Sequence, residues 1–380
     1  RYLLADALFE LGRAEEALLE YRALDRVAGF EQATEVKFRM GQCLLDLGKN
    51  AEAAEAFRGA AAGKAAYLRA ASSYLLGEAL FRTEDWAGAG KAYADVFTAK
   101  EAVDEYARDA RYGVTWSAWK GAQYDATVAA AEAFLANHRD DPQAGEIAFL
   151  SAEAHLAAGR PDKALAGYAR VKGGDYLETA KRGAAFAEAA QGHHKRAAQL
   201  FRAYRTEFPK GQFAAEATLQ EGVQLVRAKE FGGAIQALTA RTAANDAQTA
   251  YWRSLAYAGA GDHPAALKAA KDGLTKQPDE AIAAQLRIAA GDALFELGRA
   301  DEAAELYESS GSAYALHAAA VARLNAGEAE EAERLAHTLL TGVAREPGAA
   351  YRADALLTRG EALFRLKRYK EAEPLLQRLL

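Results

Sequence analysis

The sequence predicts an all-α protein made of helical hairpins stacked in series, and three observations carry that prediction. A pattern of small and large residues returns about every 35 residues along essentially all 380 positions. Alanine is abundant while β-branched residues are sparse, which favours helix and leaves no strand candidate. Glycine and proline fall at fixed steps of the pattern, as punctuation between helices does.

The period is clearest in three segments that align without a gap from Pro209, Pro278 and Pro347. They start 69 residues apart, and Gly222, Gly291 and Gly360 keep the same step. Half of that step is one unit. The intervening half-units carry the pattern without the leading proline, and the string ALFELGRA occurs at both Ala7 and Ala293. The residue expected to turn the chain between paired helices is Gly12, Gly48, Glu84, Gly121, Gly159, Gly192, Lys229, Gly261, Gly298, Gly327 and Lys367, which makes eleven units. Each second helix then carries a small residue: Ala17, Ala53, Ala89, Ala164, Ala197, Ala234, Ala266, Ala303, Ala332 and Ala372. Thr127 stands there in the fourth unit, which is expected to hold about two extra turn residues.

The residue types follow from sterics. Where two helix axes cross closely, a residue with almost no side chain is required, and a large apolar neighbour fills the groove beside it. Glycine after the first helix accepts the left-handed conformation that ends it. Pro209, Pro278 and Pro347 are expected to stop the second helix and reset the chain. Ordering costs about 1.5 kcal/mol per residue, so a lone hairpin cannot stand, and stacking on neighbours supplies the rest.

These positions resemble the tetratricopeptide repeat, whose unit is 34 residues. In the unit from Pro278, Gly291 and Leu294 lie on the first helix, Gly298 turns the chain, and Ala303 and Tyr307 lie on the second. The same offsets yield Gly41, Leu44, Gly48, Ala53 and Phe57 one unit into the chain. The resemblance implies an α-α superhelix, a tetratricopeptide-like solenoid of about eleven helical hairpins that runs continuously over residues 1–380 and lines its concave surface with the first helices. A narrower resemblance, in Ala203 to Gly222, is to bacterial repeats of the cell envelope, among them the outer-membrane barrel-assembly lipoprotein and the Tol–Pal coordinator.

Chemistry is sparse in the sequence. Lys and Arg number 47 against 53 Asp and Glu, and the net charge of −6 disfavours general binding to nucleic acid or to an anionic membrane. No uncharged apolar run approaches the roughly eighteen residues of a membrane span, so no direct transmembrane insertion is expected. A single cysteine, Cys43, excludes a disulfide framework within the chain and sits at a packing position, as an inert thiol. His193 and His194 are the only adjacent histidines, and they fall on a turn. No GxxxxGK[ST] string occurs. No catalytic residue, metal site or cofactor is therefore expected.

The first-helix residues that face away from the partner helix form the candidate site. Twelve carboxylates stand there against four basic residues. The candidates are Phe38, Tyr74, Glu78, Phe81, Phe149, Glu153, Phe186, Tyr251, Asp292, Phe295 and Phe364. An acidic groove floored with rings suits a protein or peptide with basic and apolar anchors; packing between successive first helices explains the rings equally well. A subgroup of tetratricopeptide co-chaperones grips a C-terminal carboxylate with clustered Lys and Asn. Here only Asn325 of four asparagines falls on a first helix, so that clamp is absent.

The expected function is that of a bacterial non-enzymatic scaffold or adaptor that binds a partner in its groove, soluble, with the periplasm slightly favoured over the cytoplasm. Two other readings stay open: the regulatory or substrate-selecting arm of a larger enzyme, and a glycan-associated cell-envelope assembly protein. The chain begins at Arg1 inside an expected helix and ends on Leu379–Leu380 with no polar cap, so a segment of a longer protein is expected.

Overall fold

The structure, a computed structural model, describes residues 1–101, 103–240, 245–341 and 349–379. Among them are twenty-two α-helices and no strand, which is eleven pairs. The chain forms two compact units, Arg1–Gln191 and Gly192–Leu380.

In the first unit the helices are α1 (Tyr2–Glu10), α2 (Ala14–Asp25), α3 (Ala33–Asp46), α4 (Asn50–Ala61), α5 (Arg69–Arg82) and α6 (Trp86–Asp95). They continue as α7 (Val103–Lys120), α8 (Tyr124–Asn137), α9 (Ala144–Ala157), α10 (Pro161–Tyr168) and α11 (Leu177–Ala190). The second unit holds α12 (His194–Glu207), α13 (Ala214–Arg227), α14 (Phe231–Thr239), α15 (Ala247–Gly259), α16 (His263–Leu274) and α17 (Glu280–Glu296). It ends with α18 (Ala300–Glu308), α19 (Ala313–Asn325), α20 (Ala329–Thr341), α21 (Ala349–Arg365) and α22 (Tyr369–Gln377). Within each unit, helices adjacent in sequence pack on one another, and first helices of successive hairpins also touch, as α5 does α7 and α15 does α17. The buried apolar residues accordingly run as strips along each unit, for example from Ala5 to Ala110 in the first and from Ala247 to Ala336 in the second.

The turns show why this sequence breaks where it does. Gly12, Gly48, Glu84, Gly159, Gly192, Lys229, Gly261, Gly298, Gly327 and Lys367 all have positive φ, as expected. At Gly12 the backbone N–H bonds the Phe9 carbonyl at 2.9 Å while the Arg13 N–H reaches back to Leu8 at 2.9 Å. That pair of bonds satisfies the last carbonyls of the first helix. The fourth turn differs from expectation: the left-handed residue is Ala122, at φ 53°, and not Gly121. Ala122 lies five residues before Thr127, the spacing seen in every other unit, so the expected extra turn residues are absent.

The crossing rule holds throughout. Every second-helix small residue, from Ala17 to Ala372 and including Thr127, is buried. A Cβ placed on Gly41 would lie 2.6 Å from the Phe57 ring, one on Gly77 2.6 Å from Tyr93, and one on Gly291 2.7 Å from Tyr307. Those are van der Waals overlaps, so each glycine is needed by the ring beneath it.

The prolines depart from the expectation in part. Pro209 follows the end of α12 within two residues, but α16 has already ended at Leu274, well before Pro278. Pro278 instead leads into Asp279, whose carboxylate accepts the Ile282 N–H at 2.9 Å and caps α17. Pro347 and Leu380 lie outside the described residues.

Candidate functional site

The first helix of a hairpin carries an acid six residues before the turn in Asp6, Glu78, Glu153 and Asp292. The second helix carries a tyrosine fifteen residues further on, at Tyr21, Tyr93, Tyr168 and Tyr307, and each hydroxyl donates to its acid. The Tyr93–Glu78 bond is 2.6 Å and the Tyr307–Asp292 bond 2.7 Å. The rings of these tyrosines are buried, and a buried hydroxyl without a partner costs on the order of 1–3 kcal/mol, so the acid follows the tyrosine. Where the second helix has Phe57, Phe201 or Leu238 instead, the matching first-helix residue is Gln42, Phe186 or Val223, while Glu361 stands opposite Leu376. Three of the expected site residues, Glu78, Glu153 and Asp292, thus serve the hairpin itself as well as facing outward.

This arrangement moves the phenols. Burial, then the acid partner, raises the proton affinity of Tyr21, Tyr93 and Tyr307 far above the ordinary value, and Tyr168 rises with burial first and the charge of Glu153 second. Tyr74 and Tyr112 are pushed up to about 12, chiefly by burial. All of them remain neutral hydrogen-bond donors at neutral pH.

The expected rings are half-buried, apart from Phe364, which is 58% exposed. Most lean on another ring. Phe38 meets Phe57 edge-on at 5.9 Å, Tyr74 sits 5.8 Å from Tyr93 and 5.5 Å from Tyr106, and Phe81 meets Trp86 at 4.9 Å. Phe149 lies 5.2 Å from Tyr176, Tyr251 lies 5.5 Å from Trp252, and Phe364 lies 5.2 Å from Tyr369. Phe186 carries the Arg182 guanidinium 4.8 Å from its centroid.

Two clefts gather expected residues. In the first unit Tyr74, Glu78 and Phe81 of α5 line a cleft of about 520 Å³ whose other wall is α7. In the second unit Asp292 and Phe295 of α17 line one of about 460 Å³, closed by Tyr307 and by Tyr314 and His317 of α19. Phe38, Phe149, Glu153, Phe186, Tyr251 and Phe364 line neither.

The α7 wall was missing from the sequence reading. Arg108, Tyr112, Trp116 and Lys120 recur at every fourth residue and so form one stripe along this helix. The signal was present in that spacing, which places all four side chains on one helix face. Arg108 binds Asp141 at 3.0 Å and also pairs with Asp109, while Lys120 stands 5.9 Å over the Trp116 ring. Arg39, also unforeseen, lies 4.9 Å from the Phe9 centroid and 4.0 Å from Asp6 and Glu10. The first unit's inner face therefore holds more positive charge than the count of twelve acids to four bases implied.

A further ion pair lies deep in the second unit. Glu221, 1% exposed, receives Arg202 at 2.7 Å and Arg205 at 2.6 Å. No periodic signal marks it, because its helix position holds Leu4, Met40 or Leu76 in some units and Ser151, Arg253 or Arg359 in others. Cys43 is fully buried and its thiol is pushed up to about 11 by burial, which leaves it a poor nucleophile. His194 opens α12 with Nδ1 2.8 Å from Gln224, and His193 precedes it at the turn. Among the described residues no group of three or more His, Cys, Asp or Glu could hold a metal ion, and no helix is long and apolar enough to cross a membrane.

Hairpins repeated in register, with open clefts between successive first helices, define an α-helical repeat protein. Comparison with known families places it further. The tetratricopeptide repeat family matches residues 38–103, 116–176 and 253–314, and the chain is a tetratricopeptide repeat protein with the all-α superhelix fold. Among solved structures it is similar to a tetratricopeptide repeat protein from Parabacteroides merdae, at 14% identity over 66% of this chain and 98% of that one, with a TM-score of 0.45. It is also similar to the P58(IPK) TPR domain (16% identity, 96% of this chain and 97% of that one, TM-score 0.36). A third likeness is to Naa15/Naa10 bound to HypK-THB (12% identity, 98% and 67%, TM-score 0.49). No curated protein matches the chain.

Proposed function

We propose that this chain is a non-enzymatic scaffold that holds partner proteins against the first helices of its hairpins. The observation that carries the reading is the pair of open clefts, each floored by rings of the first helices and edged by acids, in a protein of tetratricopeptide repeats. Half-buried rings lose little freedom on binding and supply anchoring area, while charged groups beside them select the partner. The same punctuation in both units supports reading residues 1–380 as one repeat array. The resemblance of Ala203–Gly222 to cell-envelope repeats supports a bacterial envelope setting.

The test is site-specific photo-cross-linking in the native organism, with a benzophenone amino acid in place of Phe81 or Phe295 on first helices and of Leu19, 68% exposed on the second helix α2. The expected result is a discrete set of cross-linked polypeptides from Phe81 and Phe295 and none from Leu19. Cross-links from Leu19 alone would move the binding surface to the second helices.

A further inference from the structure

We infer that the Asp292 cleft of the second unit is a socket for one cationic side chain, arginine or lysine, of a bound polypeptide. This rests on the scaffold reading and names the chemistry of one of its sites. Among the described residues the cleft is lined by two carboxylates, Asp292 and Glu296, and by no lysine or arginine. Among the described residues Asp292 receives only hydroxyls, Tyr307 at 2.7 Å and Tyr314 at 3.0 Å, so its charge is solvated but not cancelled. Glu296 is exposed and makes no ion pair with any described residue. Its field and that of Asp292 both reach the Tyr307 phenol, and that of Asp292 reaches Tyr251 as well. His317, which also lines the cleft, is held below its ordinary value by burial and is neutral at neutral pH.

The rings make the same argument from the other side. Elsewhere in this chain aromatic faces carry the chain's own cations: Arg39 on Phe9, Arg111 on Phe97 at 4.6 Å, Lys120 on Trp116, and Arg227 on Trp252 at 5.8 Å. Among the described residues no cation stands over Phe295, Tyr307 or Tyr314. A ring box with uncancelled carboxylates attracts a cation both through the ring quadrupoles and through Coulomb attraction, and the two add in a cleft that excludes part of the solvent. The first unit's cleft differs, because Arg108 and Lys120 there balance Glu78 and Asp109.

The inference is tested on the full chain by following the Phe295 and Tyr314 ring resonances by NMR during titration with an acetylated Gly–Arg–Gly amide and with its citrulline counterpart. Citrulline keeps the shape of arginine and removes the charge. Saturable shifts with the arginine peptide are expected, with affinity lower on the order of tenfold for citrulline. Glu296→Gln, at an exposed unpaired position, should weaken the arginine peptide several-fold. Asp292→Asn should do the same while its side-chain oxygen still accepts both tyrosines. Equal affinity for the two peptides, or an unchanged affinity in Glu296→Gln, overturns the socket and leaves the scaffold reading standing. Loss of every cross-link from Phe81 and Phe295 overturns the scaffold reading, whatever the peptides do.

Discussion

The clefts beside Glu78 and beside Asp292 are assembled from the same parts: a first-helix acid, the tyrosine fifteen residues later that donates to it, and a glycine beneath the tyrosine ring. They differ in what surrounds those parts. Glu78 is also bound by Arg82 at 3.2 Å, and the facing helix α7 brings Arg108 and Lys120, so the first cleft carries balanced charge. Asp292 has a second tyrosine in place of an arginine, and the facing helix α19 brings Tyr314 and His317. One repeat framework therefore supports one charge-balanced and one acidic surface, because the side chains on the neighbouring first helix are free to vary once the crossing residues are satisfied.

Four experiments probe the difference between the two clefts. The first uses alkali. A phenol whose proton affinity is raised by folding stabilises the native state fully below its ordinary value near 10 and loses that contribution as pH climbs toward the folded value. Each such tyrosine changes stability by about 1.4 kcal/mol per pH unit in that window. Tyr21, Tyr93 and Tyr168 with their acids lie in the first unit and Tyr307 in the second. Hydrogen exchange above pH 10 should therefore show the first unit losing protection before the second; equal loss would mean the Tyr–acid pairs do not set alkaline stability.

The second experiment concerns the glycines. Tyr93 is held between two of them, since a Cβ on either Gly77 or Gly113 would come within 2.6 Å of its ring, whereas Tyr307 meets Gly291. Gly77→Ala should cost about 1–3 kcal/mol because the ring has nowhere to shift. Gly291→Ala should cost less, and thermal melts that rank them the other way would show that the ring in the second unit is the more tightly held.

Removing a hydroxyl is the third and milder change. Tyr307→Phe leaves Asp292 one tyrosine donor and Tyr93→Phe leaves Glu78 its arginine, so each should cost about 0.5–1.5 kcal/mol in chemical denaturation. A much larger loss in Tyr307→Phe would mean that the Asp292 charge depends on both hydroxyls to be tolerated.

The smallest effect is expected at the fourth turn. Ala122→Gly relieves a left-handed conformation that costs an L-residue about 1–2 kcal/mol, offset by the entropy glycine brings to the unfolded chain. The variant should be more stable by about 0.5 kcal/mol, and a lower melting temperature would argue that the Ala122 methyl packs usefully.

Much of this framework was legible in the sequence because it follows from short-range sterics. Ten of the eleven turn residues and all the second-helix small residues could be read from spacing alone, since a left-handed residue and a close crossing each restrict the residue at one position to a few types. Gly121 was the exception: a glycine next to the true turn was the more obvious choice than Ala122. Glu78, Glu153 and Asp292 were legible as first-helix acids, but their bonds to tyrosines were not, because a hydrogen bond spanning fifteen residues appears only when both helices are in place.

Residue periodicity is enough to specify helical hairpins in series, because helix geometry converts spacing into direction with no reference to distant parts of the chain. Tertiary structure alone decided which charges meet. Arg108 on α7 reaches Asp141 in the loop after α8, and Arg202 on α12 reaches Glu221 on α13, and no local rule sets those distances. Whether a carboxylate is cancelled by the protein or left to act on something else depends on the neighbour that folding brings to it, and that separates Asp292 from Glu78.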